Sequence, residues 1–452
     1  MAKTIRFLHC ADLHLGSPLK TAGAMSRHLQ QALEQASFTA VERLVDTALD
    51  FDVHFVLFSG DIYDRDTRSV KANAFFAGQL QRLEKKGIPA CIIYGNHDPL
   101  GYGEDLFPLP GNVTVFPHEQ GQWVPISDSQ GFLLARVYGQ SYRNASDGRK
   151  MHKSFCPPDS SILNIAMLHT GLNPGANTYV PCSMEELRAI PNIHYWALGH
   201  IHKTRLCNKT LPVAAFPGIP QGRDPGEPGM GGCLLVEADT EHPAQVRFVP
   251  LSPVIWLNME IPVAPDAPDN IQSLEQIILS RGQDILARGP EPYYPEMDRI
   301  PDAGFPIEGY IVRWEITGRG ILHHAIQDND REELSETLCT RLRQAMGTGS
   351  PFLWTESVGF RTAAPVPDLE ILAARDALLR SLMEKRQSLG QDPELKKKLL
   401  SSLGSVWYEQ KDPEDIRDDS IPMTPERLES LLDMAQDMVI DRILQEREQL
   451  DY

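Results

Sequence analysis

The sequence predicts a layered α/β protein with a small α+β module and a helical C-terminal segment, and three features predict it. Short apolar runs alternate with longer stretches of helical periodicity through the first half of the chain. Those runs lead into loops rich in His, Gly, Asn and Asp, and α/β proteins place their ligands beyond strand ends. Two proline-rich stretches then break the alternation.

In order, residues 4–9 are apolar and β-prone. Met25, Leu29, Leu33, Ala36, Leu44, Val45 and Ala48 recur at mostly helical spacing over 25–50. A buried strand follows at Val53–Phe58 and ends in Ser59-Gly60-Asp61. A helix near 69–86 is closed by Gly87, and the strand Pro89–Tyr94 ends in Gly95-Asn96-His97-Asp98. Further strand-like runs lie at Ile162–Leu168, Tyr195–Leu198 and Val213–Phe216. These elements make up a first domain, 1–252. Residues 262–268 and 289–306 read as loops or linkers. With a helix near 270–287, a strand at Tyr310–Thr317 and a helix near 330–346, they form a second module, 253–365. The segment 366–452 reads as helical. Leu369, Leu372, Leu379, Leu382 and Met383 mark one apolar face, and Thr424-Pro425 starts a last helix with a cap and a proline.

Length and composition agree. A chain of 452 residues suggests two or three domains, and 42% hydrophobic with 23% charged residues fits a globular protein. The net charge of −18 argues against a protein that coats DNA by counterion release. Part of that charge is local, because 366–452 holds 12 Lys and Arg against 20 Asp and Glu. No signal peptide and no membrane span is read, so a cytoplasmic location is expected. The seven cysteines form no CxxC pair and read as buried reduced thiols.

Five short motifs carry the chemistry: Asp12-Leu13-His14, Gly60-Asp61-Ile62-Tyr63-Asp64, Gly95-Asn96-His97-Asp98, a lone His169, and Gly199-His200-Ile201-His202. Each alone is weak, whereas five in order, each after a strand-like run, form a strong signal. The set supplies carboxylates, imidazoles and one amide, and no thiol. Such donors suit borderline-to-hard divalent metals. Two metals about 3.5–4 Å apart can clamp the attacking and leaving oxygens of a phosphoryl displacement. They need a shared anionic ligand, and an Asp following Gly in a tight loop is suited to bridge. Gly60, Gly95 and Gly199 are expected to permit the sharp turns that bring these backbones together.

In this order the motifs resemble those of calcineurin-like metallophosphoesterases, which implies a β-sandwich phosphoesterase core flanked by helices. By that resemblance Asp12, His14, Asp61 and His202 hold one metal, Asp61 bridges, and Asn96, His169 and His200 hold the other. His97 is then the catalytic histidine that protonates the departing oxygen, and Asp98 orients it. A water activated by the two ions, expected to be manganese, is the nucleophile. The GNHD ending, the context around Asp61 and His200, and Phe216-Pro217-Gly218 resemble the nuclease subunit of SbcCD-type DNA repair exonucleases, in particular a YhaO-like branch. One departure stands out: where archaeal and eukaryotic relatives carry a histidine three residues after the bridging Asp, this chain has Asp64.

The resemblance implies a metal-dependent DNA exo/endonuclease working as a homodimer with an SbcC-like or YhaN-like ATPase. The middle module would guide DNA, and the C-terminal helices would dock on the ATPase coiled coil. Two other readings compete: a phosphodiesterase or phosphatase for small phosphate esters, and a non-catalytic assembly subunit. Arg65 and Arg223 are candidates to meet phosphate, with a surface salt bridge as the plain alternative. His9 and His194 read as packed strand histidines, His323-His324 as a solvated turn, and Lys396–Lys398 as a solvated helix face.

Overall fold

The architecture is that of a computed structural model. It describes residues 4–64, 69–100, 107–128, 130–157, 159–175, 179–264, 267–300 and 304–365. Beyond these it describes 373–374, 376–391, 394, 398–399, 402, 407–409, 421–423 and 425–448. Arg65, Leu369, Leu372, Lys396, Lys397 and Thr424 lie outside the described residues.

The chain opens with β1 (Ile5–Cys10), α1 (Arg27–Asp50), β2 (Phe55–Ser59), α2 (Val70–Lys85), β3 (Ala90–Ile93) and β4 (Val113–Val115). It continues through β5 (Gln122–Ser127), β6 (Leu133–Gly139), β7 (Leu163–His169), α3 (Met184–Arg188), β8 (Tyr195–Gly199), β9 (Arg205–Asn208) and β10 (Val213–Phe216). β11 (Gly232–Ala238) and β12 (Gln245–Pro250) then return to the first sheet. Two six-stranded sheets result, ordered β12-β11-β1-β2-β3-β4 and β5-β6-β7-β8-β10-β9. β1, β2, β3 and β4 run parallel, as do β6, β7, β8 and β10, so their carboxyl ends gather on one edge of each sheet.

The sheets stack. Phe7 and Phe55 stack at 4.9 Å, and Tyr195 of the other sheet meets Phe7 edge-on at 5.4 Å. Successive side chains alternate between faces. Leu8, Cys10, Val56 and Phe58 therefore turn outward, where they pack with Phe38, Val41 and Leu44 of α1 and Phe76, Leu80 and Leu83 of α2. Strands covered on both faces read as unbroken apolar runs, which is why β1 and β2 stood out in the sequence. Ser26 and Ser69 cap α1 and α2 by accepting from Leu29 N and Ala72 N. Across the second sheet, Trp196, Phe155, Tyr138 and Leu187 form the matching outer layer.

β13 (Val254–Val263), β14 (Gly309–Arg319) and β15 (Phe352–Ala363) make a three-stranded sheet, accompanied by α4 (Ile271–Arg288), α5 (Leu322–Gln327) and α6 (Arg331–Met346). The chain divides into two compact units, one of Met1–Asn258, Asp284–Val312 and Met346–Glu356, the other of Met259–Gln283, Arg313–Ala345 and Ser357–Tyr452. The stretch 289–306, expected as a loop or linker, belongs to the first unit. Phe248 N donates to Asp298 O at 2.8 Å, Ile300 N donates to Phe248 O at 2.9 Å, and Ile300 enters the core. In the second unit α7 (Ala377–Gln391) and α8 (Pro425–Glu448) pack through Leu379 and Ile440, and Arg386 pairs with Asp433 at 2.8 Å. A short parallel pair, β16 (Trp407–Glu409) and β17 (Ile421–Met423), lies between them in sequence.

His323 is buried in α5 with Thr362 Oγ1 3.1 Å from its Nδ1, so it is not a solvated turn residue. No disulfide joins the seven cysteines, and Cys156 alone among them is exposed. Among the described residues no helix is long and apolar enough to cross a membrane.

Candidate metal centre

The carboxyl-end edge of the two sheets collects the five motifs. Asp12 and His14 follow β1, Asp61 follows β2, Asn96 and His97 follow β3, His169 ends β7, and His200 and His202 follow β8. The first two loops run side by side, with Asp12 N donating to Gly60 O, His14 N to Asp61 O and Leu15 N to Ile62 O at 2.8–3.1 Å. His200 N donates to both carboxylate oxygens of Asp12, at 3.0 and 3.1 Å, and so ties the second sheet to the first.

Backbone strain marks the site. Asp12 (φ 54°), His14 (φ 41°), Asp61 (φ 52°) and His200 (φ 102°) all adopt positive φ. Such conformations cost of order 1–3 kcal/mol each outside glycine and persist where the surroundings enforce them. Gly60 itself has φ 97°, as a sharp turn requires. Gly95 and Gly199 do not make sharp turns of that kind. They are small because a Cβ would stand 2.2 Å from Asp61 Oδ1 at Gly95 and 1.9 Å from Ser59 O at Gly199.

Donor atoms gather in three groups, each within 4.8 Å: Asp12, His14 and His202; His14, Asp64 and His97; Asp61, His169 and His200. Hydrogen bonds set the tautomers. His14 Nδ1 lies 2.7 Å from Asp64 Oδ1, and His202 Nδ1 lies 2.6 Å from Glu227 Oε1. A carboxylate only accepts, so each Nδ1 carries a proton and each neutral ring presents a lone pair at Nε2. Yet the two Nε2 atoms stand 3.1 Å apart. Two lone pairs so placed repel unless a proton or a metal cation lies between them.

The other half repeats the pattern. Ser59 O accepts from His169 Nδ1 at 2.9 Å, and His169 Nε2 then faces Asn96 Oδ1 at 3.0 Å and Asp61 Oδ2 at 3.3 Å. His200 Nδ1 reaches the same Asn96 oxygen at 3.0 Å. The donors present therefore fit a pair of divalent cations.

The electrostatics agree. Burial opposes a charged His169, but the Asp61 carboxylate overrides it and lifts the ring to about 9. Burial likewise opposes a charged His202, and Glu227 with Asp12 raises it nonetheless. Asp61 stays ionised against its own burial because His169 and His14 favour the anion. Positive charge is thus favoured at His169 and His202, whereas burial lowers the pKa of His14.

His97 carries a correction. Its Nδ1 lies 2.9 Å from Asp64 Oδ1, and that hydrogen bond first of all raises its pKa. Asp98, expected to orient His97, instead accepts from Ile62 N at 2.6 Å, Tyr63 N at 3.1 Å and Gly95 N at 2.8 Å. It clasps the second loop to the third. Burial and the nearby Asp61 push Asp98 up to about 7. Arg223 is likewise committed: Nη1 donates to Asp64 Oδ2 at 3.2 Å and Nη2 to Glu227 Oε1 at 2.9 Å. His9 and His194 are packed strand residues. His9 sits between Tyr195 Oη and Leu198 O, each at 3.0 Å, and burial lowers it to about 3. His194 Nδ1 accepts from Asn164 N at 2.9 Å.

Sequence reasoning assigned no role to Asp64 or Glu227. Asp64 stood inside a motif, where only its departure from relatives drew notice. Glu227 lies in a Gly- and Pro-rich loop without any signal.

A family model for calcineurin-like phosphoesterases matches residues 5–204, and with this donor set it makes the protein a dinuclear-metal phosphoesterase. The uncharacterized metallophosphoesterase YhaO of Bacillus subtilis is 30% identical over 284 residues, which cover 62% of this chain and 67% of that protein. The DNA double-strand break repair protein Mre11 of Methanocaldococcus jannaschii is 26% identical over 216 residues, 47% of this chain and 55% of its own length. Its namesake in Thermoplasma acidophilum is 25% identical over 212 residues, 43% and 51% respectively. The chain thus spans about half the length of these archaeal relatives. It belongs to the calcineurin-like phosphoesterase family, whose members bind divalent metals.

Proposed function

We propose that this protein is a metal-dependent DNA exo/endonuclease that hydrolyses phosphodiesters, with manganese as the expected metal. The observation that carries the metal dependence in this reading is the 3.1 Å approach of His14 Nε2 to His202 Nε2 beside Asp12. Asp12, His14 and His202 would hold one ion and Asn96, His169 and His200 the other, with Asp61 between them. When bound, the two ions supply positive charge that lowers the pKa of a water and neutralises charge on the phosphoryl oxygens.

The remaining work falls to the chain's own residues. Asp64 holds the His97 ring through Nδ1, which leaves Nε2 to donate to the departing oxygen. Arg223 braces Asp64 and Glu227, and through them the rings of His14 and His202. Asp98 keeps the loop of Asn96 and His97 in register with that of Asp61.

DNA as substrate is supported by similarity to proteins named for DNA double-strand break repair. A cytoplasmic homodimer partnered by an SbcC-like or YhaN-like ATPase is what the motif resemblance to SbcCD-type nuclease subunits implies. In this reading 253–365 guides DNA, and 366–452 docks on the ATPase. Exposed Leu378 and Met438 on α7 and α8 support the docking role.

The test is cleavage of linear single- and double-stranded DNA with manganese. EDTA should abolish it, and His97→Ala and Asp61→Ala should each cost at least about 10²-fold. Intact DNA with turnover of bis(p-nitrophenyl) phosphate would replace the nuclease by a small-ester phosphodiesterase, the reading that the net charge of −18 favours. No turnover of either substrate and no bound metal would leave an assembly subunit.

A further inference from the structure

A pocket of about 430 Å³ opens beside the metal centre, with His202 and Glu227 in its wall. That volume lies among those of small-ligand sites, about 300–1,000 Å³. His202 also belongs to the donor group with Asp12 and His14. A ligand in the pocket is thus one side chain away from the candidate metal centre. Tyr293 and Tyr294, both half-buried, line the same space with Ile219 and Met230. They come from the proline-rich stretch that the first unit holds in place.

That wall is built rather than loose. Met230 N donates to Tyr293 O at 2.9 Å. The Arg299 guanidinium covers one face of Tyr294 at 4.2 Å from the ring centre, and Tyr310 meets Tyr293 with ring centres 6.1 Å apart. At Gly222 a Cβ would stand 2.5 Å from Glu227 O, so the loop can close on the pocket only with glycine there. Exposed Lys203 adds a cation to the lining. Aromatic and apolar walls, the Lys203 cation and an adjoining candidate metal centre together suit a planar ring tethered to a phosphate.

We propose that this pocket binds the nucleobase adjoining the scissile phosphodiester, held against Tyr293 and Tyr294. The inference rests on the phosphodiesterase reading above and names the group that the substrate must carry. The base belongs either to a single-stranded DNA end or to a small nucleotide ester, and the chemistry is shared.

The test compares two esters on the manganese-loaded full-length protein: the p-nitrophenyl ester of thymidylate and methyl p-nitrophenyl phosphate, which has no base. The wild type should prefer the thymidylate ester by about ten-fold or more in kcat/KM, as base–aromatic stacking provides. Tyr293→Ala and, independently, Tyr294→Ala should erase most of that preference, and Tyr293→Phe should keep it. Equal losses on both esters, or no preference in the wild type, would overturn the proposal. If neither ester turns over, the phosphodiesterase reading fails, and binding then decides the pocket. Saturation-transfer NMR with thymidylate should show contact at the base protons that Tyr293→Ala removes, and absence of that contact overturns the proposal. Finally, slowed cleavage of a single-stranded oligothymidylate in the same variants assigns the pocket to DNA ends. Slowing confined to the mononucleotide ester assigns it to small nucleotides.

Discussion

The two halves of the metal centre present similar donors but are braced by different material. His14 and His202 lean on side chains, Asp64 and Glu227, which share Arg223. His169 leans on a strand carbonyl, Ser59 O, and shares the Asn96 oxygen with His200. A carboxylate behind an imidazole makes a more basic ligand and can be removed by one substitution. A strand carbonyl belongs to the sheet and cannot be edited without disturbing the fold. The first half is therefore the tunable one and the second the rigid one.

Removing a donor outright is the largest perturbation. His169→Ala should lower turnover by at least about 10²-fold and drop bound metal by one equivalent, measured by elemental analysis. Two retained equivalents would break the assignment of the rigid half.

Next comes the clasp between loops. Asp98→Ala leaves three buried backbone donors unpaired and should cost about 3 kcal/mol in urea unfolding. Unchanged stability with lost activity would return Asp98 to a direct role at His97.

The contrast itself is sharpened by Asp64→Asn and Glu227→Gln. Each should weaken one metal equivalent about 10–100-fold in calorimetric titration and spare the other. Equal weakening of both equivalents would mean that the halves are not separately braced.

The smallest effect is expected on α8. Met438 is 73% exposed, so Met438→Ser should change stability by less than about 0.5 kcal/mol. A much larger loss would place this side chain in a packed interface.

Much of the site was legible in the sequence because strand ends and ligands coincide. Runs such as Val56–Phe58 declare themselves by burial on both faces, and the residues after them then occupy one edge. α1, α2, α4 and α6 fall within about two residues of the ranges read for them. The hairpin β5–β6 and the pair β11–β12 were not read, since their strands are half-exposed or lack a following ligand motif. The antiparallel seating of β11 against β1 joins residues such as Phe7 and Val236, and no local signal encodes that distance.

By itself, then, and apart from the sandwich and ligand roles that the family resemblance implied, the sequence determined the five motifs, their order along the chain and the strand-like runs before them. Those depend on side-chain chemistry and on hydrophobic period, both of which are local. Only the tertiary structure decided that Asp64 rather than Asp98 holds His97, and that Arg223 is a brace. Only it decided that four donors sit at positive φ, and that a proline-rich stretch walls a pocket beside His202. Each of these is a relation between loops far apart in the chain, set when two sheets close on one another.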